Sequence, residues 1–295
     1  MKLFNILLSC LLLLFVSFSA LALENENLLL GNPSNARDNT SNPNNYLMVK
    51  DQYSLSYNKK LNTPNWVSWH LDYNDIGDTE RSKSFTTDKT LPEGWYRVTS
   101  NDYKGTNYNR GHMCPSADRT ASRIDNKATF VMTNVIPQTP ENNQGPWAKL
   151  ENYSRDLVRE GKELYIISGQ HMSIGHLKTT GNQKIYVPSN GWNSDQRMSV
   201  DHLKTTGTQK INVPLNVWKI IIVLDDDEGL DDLYRITEDT RVIAVVMPNT
   251  RTIRHKDWDE FLVSVDYIEE LTGDNYLSKI PDEIEKEIEK KSTFF

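Results

Sequence analysis

The chain has 295 residues, a formal net charge of −7, 37% hydrophobic residues and two cysteines. The acidic total argues against a uniformly basic surface, and no stretch after the first residues approaches the roughly 18 consecutive apolar residues that span a bilayer. With one cysteine, Cys10, in the leading segment, only Cys114 is left for the remainder, so no disulfide can form within the mature chain and core packing must hold it.

Residues 1–22 carry one lysine, a long apolar run and the small residues Ala20-Leu21-Ala22. This pattern predicts a signal peptide cleaved near Ala22, giving a secreted or periplasmic protein with no membrane segment in its mature form. A membrane anchor fits less well, because a small-residue site ends the run and polar chain follows at once. Cys10 suggests a lipoprotein site, but the apolar run continues past it. Residues 23–295 then form the mature chain, long enough to bury a sizeable core.

Residues 23–50 are rich in Asn, Ser and Pro and read as an irregular lead-in. NWVSWHL (65–71) alternates Val67, Trp69 and Leu71 with polar neighbours and predicts a half-buried strand. A loop rich in charge and hydroxyls follows over 72–90. Residues 81–128 carry nine Lys/Arg against five acids, a local net charge of +4 within an acidic chain. Such a local field can steer a polyanion whatever the total charge.

Within that region, Asn109-Arg110-Gly111-His112 sets a switchable base beside a planar cation suited to phosphate, with a glycine between them that allows close approach. Taken alone, a histidine such as His112 is more often structural than a general base. ATFVMTNVIPQ (128–138) reads as a strand ended by Pro137 and brings Asn134 toward a strand end. WAKLENYSRDLVREGK (147–162) predicts a helix with Leu150, Leu157 and Val158 on one stripe and Gly161 at its stop. Asn143, Trp147, Glu151 and Arg155 fall at successive i+4 steps, so an amide, a carboxylate and a guanidinium share a face. Such oxygens suit a hard cation, and they equally suit a solvated face with a Glu–Arg pair.

ELYIISG (163–169), KIIIVL (219–224) and RVIAVVM (241–247) are short apolar runs read as buried strands. Between them, residues 172–192 recur as 198–218 with 15 of 21 positions identical, a tandem duplication in which one copy runs into the strand at 219–224 and the other is looped out. The repeat carries His176 and His202, with His171 nearby, but no carboxylate or thiol at ligand spacing joins them. Asp225 to Asp232 hold six acids. PDEIEKEIEKK (281–291) predicts a terminal helix with Ile284 and Ile288 on one face. Strands and helices mix without a βαβ rhythm, which predicts an α+β fold with a central, mainly antiparallel sheet and packed helices.

YNRGHMCPSADRT, FVMTNVIPQTPENNQGPWAKLENYSR and TERSKSFTTDKTLPEGW together resemble the DNA/RNA non-specific endonucleases, ββα-metal (His-Me finger) enzymes, and within them the exported cyanobacterial sugar-non-specific type. The likeness runs from about residue 27 to 280, in order and spacing, and spares the leader, the duplication and the tail. It implies a ββα-metal motif and Mg²⁺-dependent hydrolysis of DNA and RNA, with Mn²⁺ able to substitute. It implies His112 as general base, Asn143 as the sole direct protein ligand of Mg²⁺, and Glu151 as the carboxylate holding water of the metal's shell. Arg81 would steady the phosphate, Arg110 and Arg155 would contribute to the same electropositive site, and Asn134 would flank it. The family usually has Asp where this chain has Asn109, beside the metal ligand. That change removes a negative charge and predicts weaker Mg²⁺ binding with the hydrogen-bonding role kept. The implied partners are DNA and RNA, and a protein inhibitor is open. An inactive nuclease scaffold that only binds nucleic acid is the alternative, and the joint presence of His112, Asn143, Glu151 and Arg81 argues against it. A toxin with an immunity partner is disfavoured by the ordinary leader.

Overall fold

The computed structural model describes residues 25–172, 211–225 and 231–292, and the backbone alone of 175–180, 183–188, 202–204 and 210. The expected signal peptide, the side chains of His176 and His202 and nearly all side chains of the first repeat copy lie outside the described residues. No described helix is long and apolar enough to cross a membrane.

In chain order the elements are β1 (Tyr46–Val49), β2 (Ser54–Asn58), β3 (Thr63–Leu71), β4 (Asn109–His112), α1 (Arg123–Thr129), β5 (Val135–Gln138), α2 (Pro140–Asn143) and α3 (Pro146–Arg159). They continue as β6 (Lys162–His171), β7 (Gly175–Thr180), β8 (Gln183–Pro188), β9 (His202–Lys204), β10 (Lys210–Asn212), β11 (Asn216–Asp225), α4 (Asp232–Arg235), β12 (Arg241–Pro248), α5 (Val265–Thr272) and α6 (Asp282–Glu289). Six strands form one sheet in the order β1-β2-β3-β6-β11-β12, every pair antiparallel. The expected α+β class with a central antiparallel sheet is what the chain adopts.

Each face of the sheet carries its own core. Alternation along β11 decides which residue goes where: Trp218, Ile220, Ile222 and Leu224 join one cluster, Val217, Ile221 and Val223 the other. The first cluster is covered by α5 and α6, through Ile268 and Ile288, and by Tyr276 of the segment between them. The second is covered by α3, through Trp147, Leu150, Leu157 and Val158. With buried Ser154 between them, Trp147, Leu150 and Val158 step by three and four residues, so the helix buries one stripe; it ends at Arg159, and Gly161 just beyond has a φ of +81° that suits glycine.

Four sequence expectations are corrected. Residues 128–134 are not strand: α1 ends at Thr129, a 3₁₀ turn spans Met132–Asn134, and only Val135–Gln138 is extended. Pro137 lies within β5 rather than ending it, which a two-stranded ribbon permits because one edge needs no donor. Residues 46–49 form an edge strand and 54–58 the strand next to it, rather than irregular or unread chain. The i+4 ladder from Asn143 is not one helix. Gly145 departs from helical geometry (φ −104°, ψ −121°) and splits α2 from α3, and a Cβ there would come within 2.2 Å of the Glu141 carbonyl oxygen.

The second repeat copy does flow into a core strand. Ile211 and Val213 are buried, Asn212 donates its backbone N–H to the Leu61 carbonyl at 3.1 Å, and Leu215 donates to the His171 carbonyl at 3.1 Å.

Candidate active site

β4 and β5 pair outside the main sheet, with Asn109 opposite Gln138 and His112 opposite Val135. With α2 and α3 following, they make a ββα unit. Strand alternation sends Arg110 and His112 to one face. There the Arg110 guanidinium lies 4.5 Å from the Phe85 ring centre, and the His112 ring packs 5.0 Å from Phe85 and 4.8 Å from Phe130. Gly111 faces the other way. A Cβ there would lie 2.2 Å from Gln138 Oε1 and 2.8 Å from Gln138 Cβ, so the glycine serves that close packing rather than a substrate's approach.

Arg81 is brought in by backbone contacts. Thr86 donates to the Phe130 carbonyl and accepts from Met132 N–H, both at 2.9 Å, and Ser82 N–H donates to Asn126 Oδ1 at 2.8 Å. The Arg81 guanidinium consequently lies 4.9 Å over the Phe130 ring. Burial, then the charges of Arg81 and Arg110, push the His112 imidazole down from 6.5 to about 3. It is therefore neutral at physiological pH, with Nε2 buried and without a hydrogen-bond partner. That is the condition of a base poised to take a proton from a water beside it.

Asn143 ends α2. Its Nδ2 donates to Asn109 Oδ1 at 3.1 Å, and Gln144 Nε2 donates to the same oxygen at 3.0 Å. This donation turns Asn143 Oδ1 away from Asn109, as a ligand oxygen would need to be. α2 is itself anchored: Gln138 Nε2 donates to Asn142 Oδ1, and Asn142 Nδ2 donates to the Pro248 carbonyl at 2.9 Å. A cleft of about 480 Å³ opens here, lined in part by Arg81, Lys104, Arg110, Asn109 and Asn143 and by no carboxylate.

Glu151 lies half-buried on α3. Burial raises its carboxyl above the usual range, while Lys219, Arg155 and Arg81 pull it back and Asp118 pushes it further. Arg81 thus acts on both His112 and Glu151 and joins the two halves of the site. Oxygen donors from Asn143 and Glu151, with no histidine or thiolate between them, suit a hard divalent cation that keeps most of its waters.

Two expected site residues are placed differently. Asn134 is fully buried, and its amide is used up by backbone. Nδ2 donates to the Cys114 and Thr129 carbonyls at 2.8 and 2.9 Å, and Oδ1 accepts from Cys114 N–H at 2.9 Å. It pins the chain leaving β4 and so positions His112 without meeting substrate. Arg155 is also buried, paired with Asp118 at 2.7 Å and donating to Asn152 Oδ1 at 2.6 Å. Its charge reaches Glu151 through the interior, not a phosphate in the cleft.

Sequence reasoning missed Lys104, the third cation of the cleft, and Lys219. Lys219 is 1% exposed, in an otherwise apolar run of β11. Its ammonium lies 4.3 Å from the Trp147 ring centre and 5.5 Å from that of Trp69, beneath Glu151. A lysine between Val217-Trp218 and the run IIIVL was the available signal, masked because strand lysines are usually exposed. Of the histidines in and beside the repeat, only His171 has a described side chain. His171 is pushed down to about 4 by burial. The one three-residue group of possible His, Cys, Asp or Glu ligands among the described residues contains no histidine.

The family model described as DNA/RNA non-specific endonuclease matches residues 30–283. The chain is 46% identical over 266 residues to a protein named Nuclease from Nostoc sp. (strain PCC 7120), covering 90% of this chain and 85% of that one. It is 34% identical over 119 residues to the mitochondrial Nuclease EXOG of Xenopus laevis, covering 40% of this chain and 33% of that protein. The fold matches a crystal structure of the EndoG/EndoGI complex with a TM-score of 0.66 and 21% identity, covering 87% of this chain and 92% of that one.

Proposed function

The chain belongs to the DNA/RNA non-specific endonucleases, a family of phosphodiester hydrolases, and from that premise we propose that it is an exported, Mg²⁺-dependent enzyme that cuts DNA and RNA without sequence preference. The observation that carries this reading is the neutral, unpartnered His112 Nε2, its ring packed on Phe85 and Phe130, which also carry Arg110 and Arg81, two cations of a carboxylate-free cleft.

His112 Nε2 takes the proton of the attacking water. Arg81 and Arg110, held over the Phe130 and Phe85 rings, bind the phosphate oxygens and meet the charge that grows on them. Their contacts go to phosphate and not to base edges, so sequence preference is weak. A water nucleophile requires no 2′-hydroxyl, so either sugar is accepted. Asn143 Oδ1 would hold Mg²⁺, Glu151 would order its water, and Mn²⁺ would serve in its place. When bound, the cation supplies charge stabilisation at the phosphate and the leaving oxygen. Asn109 orients Asn143 by accepting its amide N–H. Secretion or delivery to the periplasm follows from the leader read in residues 1–22.

Incubation of the purified protein with plasmid and with RNA tests the reading. Both substrates should be cut with Mg²⁺ and spared with chelator, and Asn143→Ala should raise the Mg²⁺ requirement. Intact substrates bound by the wild-type protein in the presence of Mg²⁺ would instead mark an inactive nucleic-acid-binding scaffold.

A further inference from the structure

On the sheet face away from the cleft, α5 and α6 bring together three carboxylates that the phosphodiester chemistry does not use. One ligand oxygen from each of Asp266, Glu269 and Glu289 lies within 4.8 Å of the others. Glu269 is fixed in place, since its Oε1 accepts the Tyr276 backbone N–H at 2.8 Å. Glu289 is only 7% exposed, and its Oε1 is buried with no hydrogen-bond partner. One turn earlier, Glu285 also has a buried Oε1 without a partner. Burial first, then the charges of Glu269, Glu285 and Asp266 and a side-chain hydrogen bond with Glu269, push the Glu289 carboxyl up to about 8.

Like charges so close, one of them almost out of water, are held together only when something positive sits among them. A shared proton can join two of the carboxyls. It leaves the third charge and the unpartnered Glu289 oxygen unanswered. A divalent cation answers all three. Ca²⁺ takes six to eight oxygens in irregular geometry, whereas Mg²⁺ demands a near-octahedral shell. Here carboxylates from two helices supply part of such a shell, and the exposed side of Asp266 leaves room for water to complete it. The position has a structural meaning. Neighbouring Ile288 is fully buried against the core that includes Trp218 and Tyr276, so a cation here would clamp the last helix onto that core. Cys114, the cysteine among the described residues, is free and buried, and no disulfide does that work.

We propose that Asp266, Glu269 and Glu289 bind Ca²⁺, tying α6 to α5 as a structural cross-link separate from the nuclease cleft. Thermal unfolding of the full protein carrying Asn143→Ala, which removes the ligand expected in the cleft, tests this with CaCl₂ against EGTA. Tm should rise by about 5 °C at a hundredfold excess of Ca²⁺ over Kd. Asp266→Asn, at an exposed position that does not disturb packing, should weaken Ca²⁺ binding by about tenfold or more in calorimetric titration. Glu289→Gln should abolish the response and, above about pH 8, raise the metal-free Tm, because there it removes a buried charge. A Ca²⁺ shift that survives both substitutions overturns the proposal. So does an absent shift, and a Tm indifferent to Ca²⁺ that climbs on acidification from about pH 8 to about pH 5 would then identify a shared proton.

Discussion

His112 is neutral because burial and two arginines together keep a second positive charge out of its pocket. The acid limb of kcat/KM should therefore not track an ordinary imidazole at 6.5. It should track Glu151, which must be ionised to hold the cation's water and whose carboxyl is raised by burial above 4.5. Lys219→Met removes the largest opposing charge, so the pH–rate profile of that variant should have its acid limb moved upward. An unmoved limb would disconnect Lys219 from the site. His112 also affects stability, with a definite sign. Folded, it stays neutral down to about 3; unfolded, it takes a proton below about 6.5. Its contribution is nil above 6.5, and stability is lost as pH falls through the window from 6.5 to 3, by at most about 1.4 kcal/mol per pH unit. Chemical denaturation of His112→Phe across that range should show a flatter pH dependence. Asn109 is the other residue that decides something. Its Oδ1 already accepts from Asn143 and Gln144, so Asn109→Asp keeps both bonds and adds a charge beside the metal ligand. The Mg²⁺ concentration giving half-maximal cleavage should fall, and an unchanged value would show that this charge does not reach the cation.

At the scale of elements, the site depends on a hairpin and a split helix held by buried polar anchors. Asn134→Ala strands the Cys114 N–H and the Cys114 and Thr129 carbonyls in the interior, and each unmet group costs about 1–3 kcal/mol. The variant should unfold at clearly lower denaturant. Asp118→Asn leaves Arg155 buried without its countercharge and should cost about 3–5 kcal/mol. Apolar runs made β6, β11 and β12 legible in the sequence, because strands buried on both faces leave no polar alternation to confuse the reading. The stripe of Leu150, Leu157 and Val158 did the same for α3. Residues 128–134 misled because Phe130, Val131 and Met132 look like strand, whereas Ser122 accepts the Asp125 N–H and starts a helix that runs to Thr129. The split at Gly145 was hidden by an i+4 spacing that survives the break. For the site, residue types and spacing drew attention to His112, Asn143 and Glu151, and only the family resemblance assigned them roles and added Arg81. What could not be read was which side chains the interior would consume. Asn134 and Arg155 look like polar site residues until their partners, 20 and 37 residues away, are seen to occupy them.

At the scale of the molecule, an acidic protein meets a polyanion through one local cleft carrying Arg81, Lys104 and Arg110. If each neutralises one phosphate, KM for duplex DNA should rise roughly 40-fold between about 50 and 200 mM salt. Lys104→Gln should lower the salt slope by about one while leaving sequence preference unchanged. The tandem repeat is a second global feature. Its later copy supplies Ile211 and Val213 to the core and leads into β11, so the earlier copy is dispensable to the sheet. Deleting residues 172–197, one repeat period, joins β6 directly to that later copy. Loop length costs little in closure entropy, so the shortened protein should fold with stability within about 1 kcal/mol of the parent.

The most direct measurement is kcat/KM of His112→Ala against wild type on one DNA duplex at saturating Mg²⁺, with thermal unfolding run alongside to show that the variant is folded. Loss of the base should lower kcat/KM by about 10²–10⁴-fold in a protein that still folds. A folded His112→Ala protein whose activity stays within the same order of magnitude as wild type would contradict the assignment of His112 as the base.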